Sequence, residues 1–163
     1  MSGKTLIIGY GALLRGDDGV GQLAAQALLA RGLPDTQVVA CHQLTPELAE
    51  SLAQSDLAVF IDAATDVRPG DFVIGRLTGE APPLGLGHQM DPRSLISIAG
   101  RLYGGAPEAF LVKVGANCFE LGEKLSEAVE KAMPAVLAAV IRLVRGSADA
   151  RSGSPGEGEP SRF

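Results

Sequence analysis

The sequence is poor in the side chains on which many kinds of binding site depend. It has no tryptophan, two histidines and two cysteines among 163 residues, and only 4% of the chain is aromatic. Cys41 and Cys118 lie far apart, which argues against a cysteine-rich zinc cluster and against a disulfide framework. The simplest compartment for such a chain is a reducing cytoplasm. A net charge of −5 with so few aromatic residues argues against nucleic acid as the main partner.

Long apolar runs and the motifs of common hydrolases are also missing. No run approaches the roughly 20 apolar residues of a membrane helix, and the sequence begins without the pattern of a signal peptide, so we expect no membrane association. The chain contains neither His-Glu-x-x-His nor Gly-x-Ser-x-Gly, which excludes an ordinary zinc protease and a serine hydrolase elbow. What remains is a chain that is 46% hydrophobic and long enough for one domain with a substantial core.

Hydrophobic periodicity predicts five strands and four helices in the order β-α-β-α-β-β-α-β-α. The predicted strands cover residues 5–8, 37–41, 56–61, 71–77 and 109–114. The predicted helices cover residues 20–31 and 45–54, a segment that begins at Asp91-Pro92, and residues 126–146. The fourth strand follows the third after too short a turn for a parallel crossover, so we expect it to run antiparallel at an edge. The order predicts an α/β fold: a three-layer α/β/α sandwich with a five-stranded, mostly parallel sheet and one antiparallel edge strand.

Several local signals refine this outline. Thr45 and Ser126 are predicted to cap the second and fourth helices. Pro134 is predicted to kink the last helix and Gly146 to end it. Residues 1–146 then form a single domain, and residues 147–163, rich in Ser, Gly, Pro and charge, are a predicted disordered tail. The third helix is predicted to bury four apolar side chains: Leu95, Ile98, Ala99 and Leu102.

Residues 5–21, TLIIGYGALLRGDDGVG, are the most informative stretch of the chain. A buried strand ends in two glycines, and two carboxylates and a Gly-x-Gly follow. The stretch is a poor dinucleotide fingerprint, because Leu14 stands where the third glycine belongs and Asp17 and Asp18 would repel a pyrophosphate. One of the two acids is expected to cap the helix that begins near Val20. The second has no capping role, and paired carboxylates suit a hard or borderline cation.

Two further side chains are candidates for the same cation site. In open α/β sheets ligands collect at the carboxyl ends of strands. Asp18 follows the first strand and Asp62 ends the third, so we expect both to face one crevice. His88 lies on a glycine-flanked loop just before the helix at Asp91. One histidine and two carboxylates suit zinc, nickel or iron, although spacing alone leaves a solvated loop histidine as the commoner reading of His88.

The pattern Gly-x-Gly-x-x-Leu-x-x-Asp-Asp-Gly-x-Gly resembles the N-terminal signature of the nickel–iron hydrogenase maturation endopeptidases. The resemblance implies a cytoplasmic, metal-dependent endopeptidase that removes the C-terminal extension of a nickel-loaded hydrogenase large-subunit precursor. It implies Asp18, Asp62 and His88 as metal ligands, with Asp18 also catalytic. Asp17 is a further candidate, either orienting a ligand or acting as an acid or base. The divalent metal would be nickel supplied by the substrate, with zinc or cadmium as occupants in vitro.

Two segments depart from the pattern of this family. Ala12 stands where the family usually has Asn. After the second strand many members have an Asp-Gly-Gly-Thr-like loop, whereas this chain reads Cys41-His42-Gln43-Leu44-Thr45-Pro46. His42 and Thr45 are candidate substrate contacts, and a specificity loop with an incidental histidine is an equally open reading. The departure leaves open which hydrogenase is the partner.

Two other functions fit parts of the sequence. A phospho-acceptor receiver domain also needs an acid pair after strand 1, an acid ending strand 3 and a lysine on strand 5, which Asp17, Asp18, Asp62 and Lys113 superficially supply. Against it, the acid pair lies well past the strand end, and Val114 rather than proline follows the lysine. A nucleotide-binding module without catalysis is a weaker alternative.

Overall fold

The computed structural model describes residues 3–78 and 89–151, with the side chains of residues 148–151 left out. Its elements follow the predicted order, and a short 3-10 helix at Gly16–Gly19 is added between the first strand and the first helix. The strands are β1 Thr5–Tyr10, β2 Thr36–Cys41, β3 Leu57–Ala64, β4 Phe72–Arg76 and β5 Glu108–Gly115. The helices are α1 Val20–Ala30, α2 Leu48–Ala53, α3 Pro92–Tyr103 and α4 Glu127–Arg151.

The five strands form one mixed sheet in the order β2-β1-β3-β5-β4. Strand β1 runs parallel to β2 and to β3, and β3 runs parallel to β5. Strand β4 pairs antiparallel with β5 at the edge of the sheet, which confirms the predicted edge strand and the predicted fold class. The order differs from the 2-1-3-4-5 order of receiver-type sheets.

Helices cover both faces of the sheet, because β1, β3 and β5 carry apolar side chains on alternating sides. Ile7, Val59 and Val112 point into a core shared with α1 and α4. Ile8 and Phe60 point into a second core shared with α2 and α3. The central strands are therefore buried on both faces, and only their ends are open to form a site.

Three local predictions about the helices were wrong. Thr45 does not cap α2: the helix begins at Leu48, and the Thr45 carbonyl accepts the Leu48 amide in a preceding turn at 3.1 Å. Leu102 is 72% exposed rather than buried, because the buried residues of α3 all lie before its last turn, between Pro92 and Ala99. Helix α4 continues through Gly146 to Arg151. A single glycine costs a helix about 1 kcal/mol, and the helix-forming residues around it outweigh that cost.

The predicted disordered tail falls largely on residues 152–163, which lie outside the described residues. Within residues 3–78 and 89–151, no helix combines the length and the apolar character needed to cross a membrane.

Candidate functional site

The glycine-rich loop after β1 is held against the sheet by contacts between backbones. A β-carbon added to Gly9 would lie 1.9 Å from the carbonyl oxygen of Gly21, and one added to Gly21 would lie 2.4 Å from the carbonyl oxygen of Ile61. Only glycine lets the first turn of α1 approach β1 and β3 this closely. Residues 11–19 consequently fold over the carboxyl end of the sheet, and they carry both acids of the motif.

Asp18 is fixed inside this loop by a short hydrogen bond. Its Oδ2 accepts the backbone N–H of Ala12 at 2.8 Å. Gly11, with φ +138°, passes so close that a β-carbon there would lie 2.0 Å from the Asp18 carbonyl oxygen. The Asp18 side chain is half-buried, and among the described residues no donor is found for its other carboxylate oxygen. That oxygen can therefore take a ligand.

Asp62 lies on β3, the strand next to β1. It does not end β3 as predicted, because the strand continues through pairing with β5 to Ala64. Burial raises the pKa of Asp62 to about 6; the hydrogen bond from Tyr10 opposes this rise, and the nearby charge of Asp18 adds to it. The two carboxylates therefore lie near enough for their charges to repel each other.

Tyr10 is a site residue that the sequence reasoning did not identify. The parallel register of β1 and β3 pairs Gly9 with Ile61, so Tyr10 lies beside Asp62 on the same face. Burial, followed by the charge of Asp62, raises the pKa of the Tyr10 hydroxyl, which keeps the proton available as a donor to the Asp62 carboxylate. The strand alternation that put Ile8 on this face could have revealed Tyr10 two residues later.

Asp17 has a different environment from its neighbour Asp18. Its side chain is fully buried. Its Oδ2 accepts the amides of Asn117 at 2.8 Å and Cys118 at 2.9 Å and the Ser126 hydroxyl at 2.8 Å. Its Oδ1 accepts the Ser126 amide at 2.6 Å. Both oxygens are thus committed to the segment that precedes α4.

The electrostatics of Asp17 agree with this anchoring role. Burial by itself would raise the pKa of its carboxyl group, but the hydrogen bonds from Ser126, Asn117 and Cys118 outweigh burial and lower the pKa. The prediction that one of the two acids caps α1 was wrong, since Gly19 precedes that helix without a capping side chain. Ser126 does stand directly before α4, but its hydroxyl binds Asp17.

The remaining predicted residues are distributed as follows. His88 lies outside the described residues. Asp91 opens α3 as predicted, with its Oδ1 accepting the Arg93 amide at 2.8 Å, and its charge acts on Tyr10. His42 is exposed and Thr45 is half-buried, and in residues 3–78 and 89–151 neither is found bonded to Asp18 or Asp62.

The donor chemistry of Asp18 and Asp62 fits a divalent cation only in part. Two half-buried carboxylates that repel each other are the oxygen ligands that a cation would stabilise. Across the described ranges, no group of three or more histidine, cysteine, aspartate or glutamate side chains is arranged to hold a metal ion. Asp18 and Asp62 therefore need at least one further donor, from this chain or from a bound partner.

Comparison with known proteins shows a shared fold. No family model matches the sequence, and no curated protein matches it. The [NiFe] hydrogenase maturation protease HycI from Thermococcus kodakarensis KOD1 is 24% identical, with a TM-score of 0.70 over 88% of this chain and 94% of that one. The hydrogenase maturating endopeptidase HybD from E. coli is 24% identical, with a TM-score of 0.65 over 92% of this chain and 94% of that one. A hydrogenase 2 maturation peptidase from a Thaumarchaeota archaeon is 22% identical, with a TM-score of 0.67 over 87% of this chain and 98% of that one. The chain thus has the fold of these peptidases over nearly the whole length of each.

Proposed function

We propose that this chain is a metal-dependent endopeptidase that removes the C-terminal extension from a nickel-loaded hydrogenase large-subunit precursor. The observation that supports the proposal is that Asp62 lies close enough to Asp18 for the Asp18 charge to act on it, on a fold shared with hydrogenase maturation proteases. A fold alone does not identify a reaction, so the proposed activity depends on these two carboxylates and on the loop that fixes Asp18.

Asp18 and Asp62 are the proposed oxygen ligands, and His88 is the proposed nitrogen ligand. Only two residues separate His88 from Asp91, whose charge acts on Tyr10 beside Asp62. Nickel arrives as part of the precursor, so in this proposal it belongs to the substrate, and zinc or cadmium would take its place in vitro. Bound at such a site, a divalent cation supplies a positive charge that can polarise a peptide carbonyl or dock the protein that carries it.

This chain's own residues have separate tasks in the proposed reaction. Asp18 binds the cation through the carboxylate oxygen that Ala12 does not occupy. Asp62 binds it from β3, with the Tyr10 hydroxyl holding its carboxylate. Asp17 is not proposed as an acid or base, because both of its oxygens are buried and accept hydrogen bonds. His42 and Thr45 are proposed to contact the precursor on the neighbouring loop.

The proposal places the reaction in the cytoplasm with the precursor as partner. Both cysteines are free thiols, which suits a reducing compartment. The receiver alternative gains no support, because Asp17 is buried away from Asp18 and the sheet order is not that of a receiver.

The test is a processing assay with purified nickel-loaded large-subunit precursors from several [NiFe] hydrogenase classes. Mass spectrometry should show that the wild-type chain shortens at least one precursor at its C-terminus and leaves the nickel-free form intact. Asp18→Asn, Asp62→Asn and His88→Ala should each leave that precursor uncut while the far-UV circular dichroism stays unchanged.

Asp56→Asn is a matched control for Asp62→Asn. Asp56 is exposed at the opposite end of β3, where its Oδ2 accepts the Lys4 amide at 2.8 Å. This variant should process the precursor normally. Full processing by His88→Ala would remove the histidine from the ligand set, and failure of the wild-type chain on every precursor would refute the proposed activity.

A further inference from the structure

Asp17 and the backbone around it join two segments that are about a hundred residues apart in the sequence. Besides the Asp17 bonds, three backbone hydrogen bonds connect residues 14–17 to residues 118–122: Gly16 N to Gly122 O at 2.9 Å, Asp17 N to Cys118 O at 2.8 Å, and Gly122 N to Leu14 O at 2.8 Å. Residues 117–126, defined here as the anchor segment, therefore support the loop that carries Asp18.

Asp17 is the only side chain of this loop found to bind the anchor segment within the described residues. Its backbone continues directly into Asp18, whose Oδ2 is in turn held by the Ala12 amide. The Asp17 side-chain contacts and the three backbone hydrogen bonds thus hold the peptide that sets the direction of the Asp18 side chain. Gly16, with φ +55°, fits against this segment so closely that a β-carbon would lie 2.7 Å from the Cys118 carbonyl oxygen.

We propose that Asp17 is a positioning residue that fixes the Asp18 carboxylate by anchoring its loop to residues 117–126. This deepens the proposed function, on which its consequence for cation binding rests. It assigns a role to the anchor segment, which contributes no proposed ligand. Residues that orient metal ligands typically affect metal affinity about 10- to 100-fold when mutated.

The first measurement needs no metal. The Ala12 N–H donates to Asp18 Oδ2 at 2.8 Å, so its amide chemical shift and hydrogen exchange report where the Asp18 carboxylate lies. Asp17→Asn should shift the Ala12 amide resonance and speed its exchange, in the direction seen for Asp18→Asn. An Ala12 amide that stays as in the wild type overturns the proposal, whether or not the protein binds a cation.

The second measurement is the affinity of the purified protein for Zn²⁺ or Cd²⁺ by calorimetry. Asp17→Asn should weaken binding about 10-fold or more, at a temperature where circular dichroism shows it folded. Ser126→Ala keeps the backbone contacts and should give a smaller loss in the same direction, which keeps the test usable if Asp17→Asn folds poorly.

Val136→Ala is the matched control for lost stability. Val136 is fully buried in α4, away from the anchor segment in sequence, and its truncation destabilises the core. It should leave the Ala12 amide and the cation affinity unchanged. Wild-type affinity in Asp17→Asn, with lowered stability only, would overturn the proposal. Absence of cation binding in the wild-type protein would refute the proposed metal site, while the Ala12 measurement would still decide the positioning role.

Discussion

Asp17 and Asp62 are carboxylates near the same end of the sheet, yet their surroundings shift their pKa values in opposite directions. Asp17 accepts four hydrogen bonds, and its pKa is lowered despite complete burial. Asp62 has fewer donors and faces the charge of Asp18, and its pKa is raised to about 6. The number of donors around the carboxylate, not burial alone, separates the two cases.

The difference distinguishes an anchor from a ligand. Hydrogen-bond donors around a carboxylate already stabilise its negative charge, so binding a cation stabilises it little further. A carboxylate that is desolvated and close to another negative charge is costly until a cation or proton neutralises it. The sequence could not make this distinction, because Asp17 and Asp18 are identical adjacent residues.

The largest expected effect comes from removing the charge of Asp62. Asp62→Asn should lower precursor processing at least about 100-fold, because it deletes a ligand whose charge acts directly on the cation. Quantitative mass spectrometry of the precursor gives the rate. A loss of processing below tenfold would mean that Asp62 is not a ligand on which the reaction depends.

The same two positions should differ in the sign of their effect on stability. Asp17→Asn removes hydrogen bonds to a buried charge and should lower the free energy of unfolding by about 3 kcal/mol. Asp62→Asn, measured without metal, should leave it unchanged or raise it by up to about 1 kcal/mol, because repulsion from Asp18 is relieved. Urea unfolding at pH 7 measures both. Equal destabilisation by the two substitutions would contradict the different roles assigned to Asp17 and Asp62.

The contribution of Asp17 to stability should also depend on pH. Because the folded-state pKa lies below the unfolded value of about 3.9, this stabilisation is fully present above that value and is lost as the pH falls through the folded-state pKa. The difference in melting temperature between the wild type and Asp17→Asn should therefore be constant near neutral pH and shrink below about pH 4. A difference that widens on acidification would contradict the anchoring hydrogen bonds.

The smallest effect is expected at Asp66, an exposed carboxylate that serves as the reference for Asp17 and Asp62. Its Oδ2 accepts Lys113 Nζ at 2.5 Å, with the Asp66 side chain 68% exposed. Asp66→Asn should leave the midpoint of urea unfolding nearly unchanged, because surface ion pairs contribute little, and should leave processing unchanged. Loss of processing would extend the site to this rim of the sheet.

Much of the fold followed from the sequence because its signals are local. The apolar strands alternate with amphipathic helices, and the short turn after β3 required an antiparallel neighbour. Asp91-Pro92 marked the start of α3 by chemistry that needs no tertiary contact. Gly146 and Leu102 misled because a helix end and a buried face depend on neighbouring elements, which periodicity does not describe.

The candidate site could be predicted only where topology alone brings residues together. The prediction that β1 and β3 are neighbours was enough to place Asp18 and Asp62 within reach of each other's charge. The 3-10 helix that turns Asp17 away from Asp18 depends on bonds to residues 117–126, a contact across about a hundred residues that no local pattern encodes. Strand alternation places Tyr10 on the same face as Ile8, but only the register of β1 with β3 brings it beside Asp62.

The backbone contact of Gly9 with Gly21 has a consequence for how distant relatives can be found. A side chain at Gly9 or Gly21 would push the first helix off the sheet. Homologues can therefore differ at most surface positions but should keep both glycines. A search that scores only the glycine spacing together with the two acids should therefore detect distant homologues, and those without the first acid, Asp17, should lack the side-chain hydrogen bonds to residues 117–126.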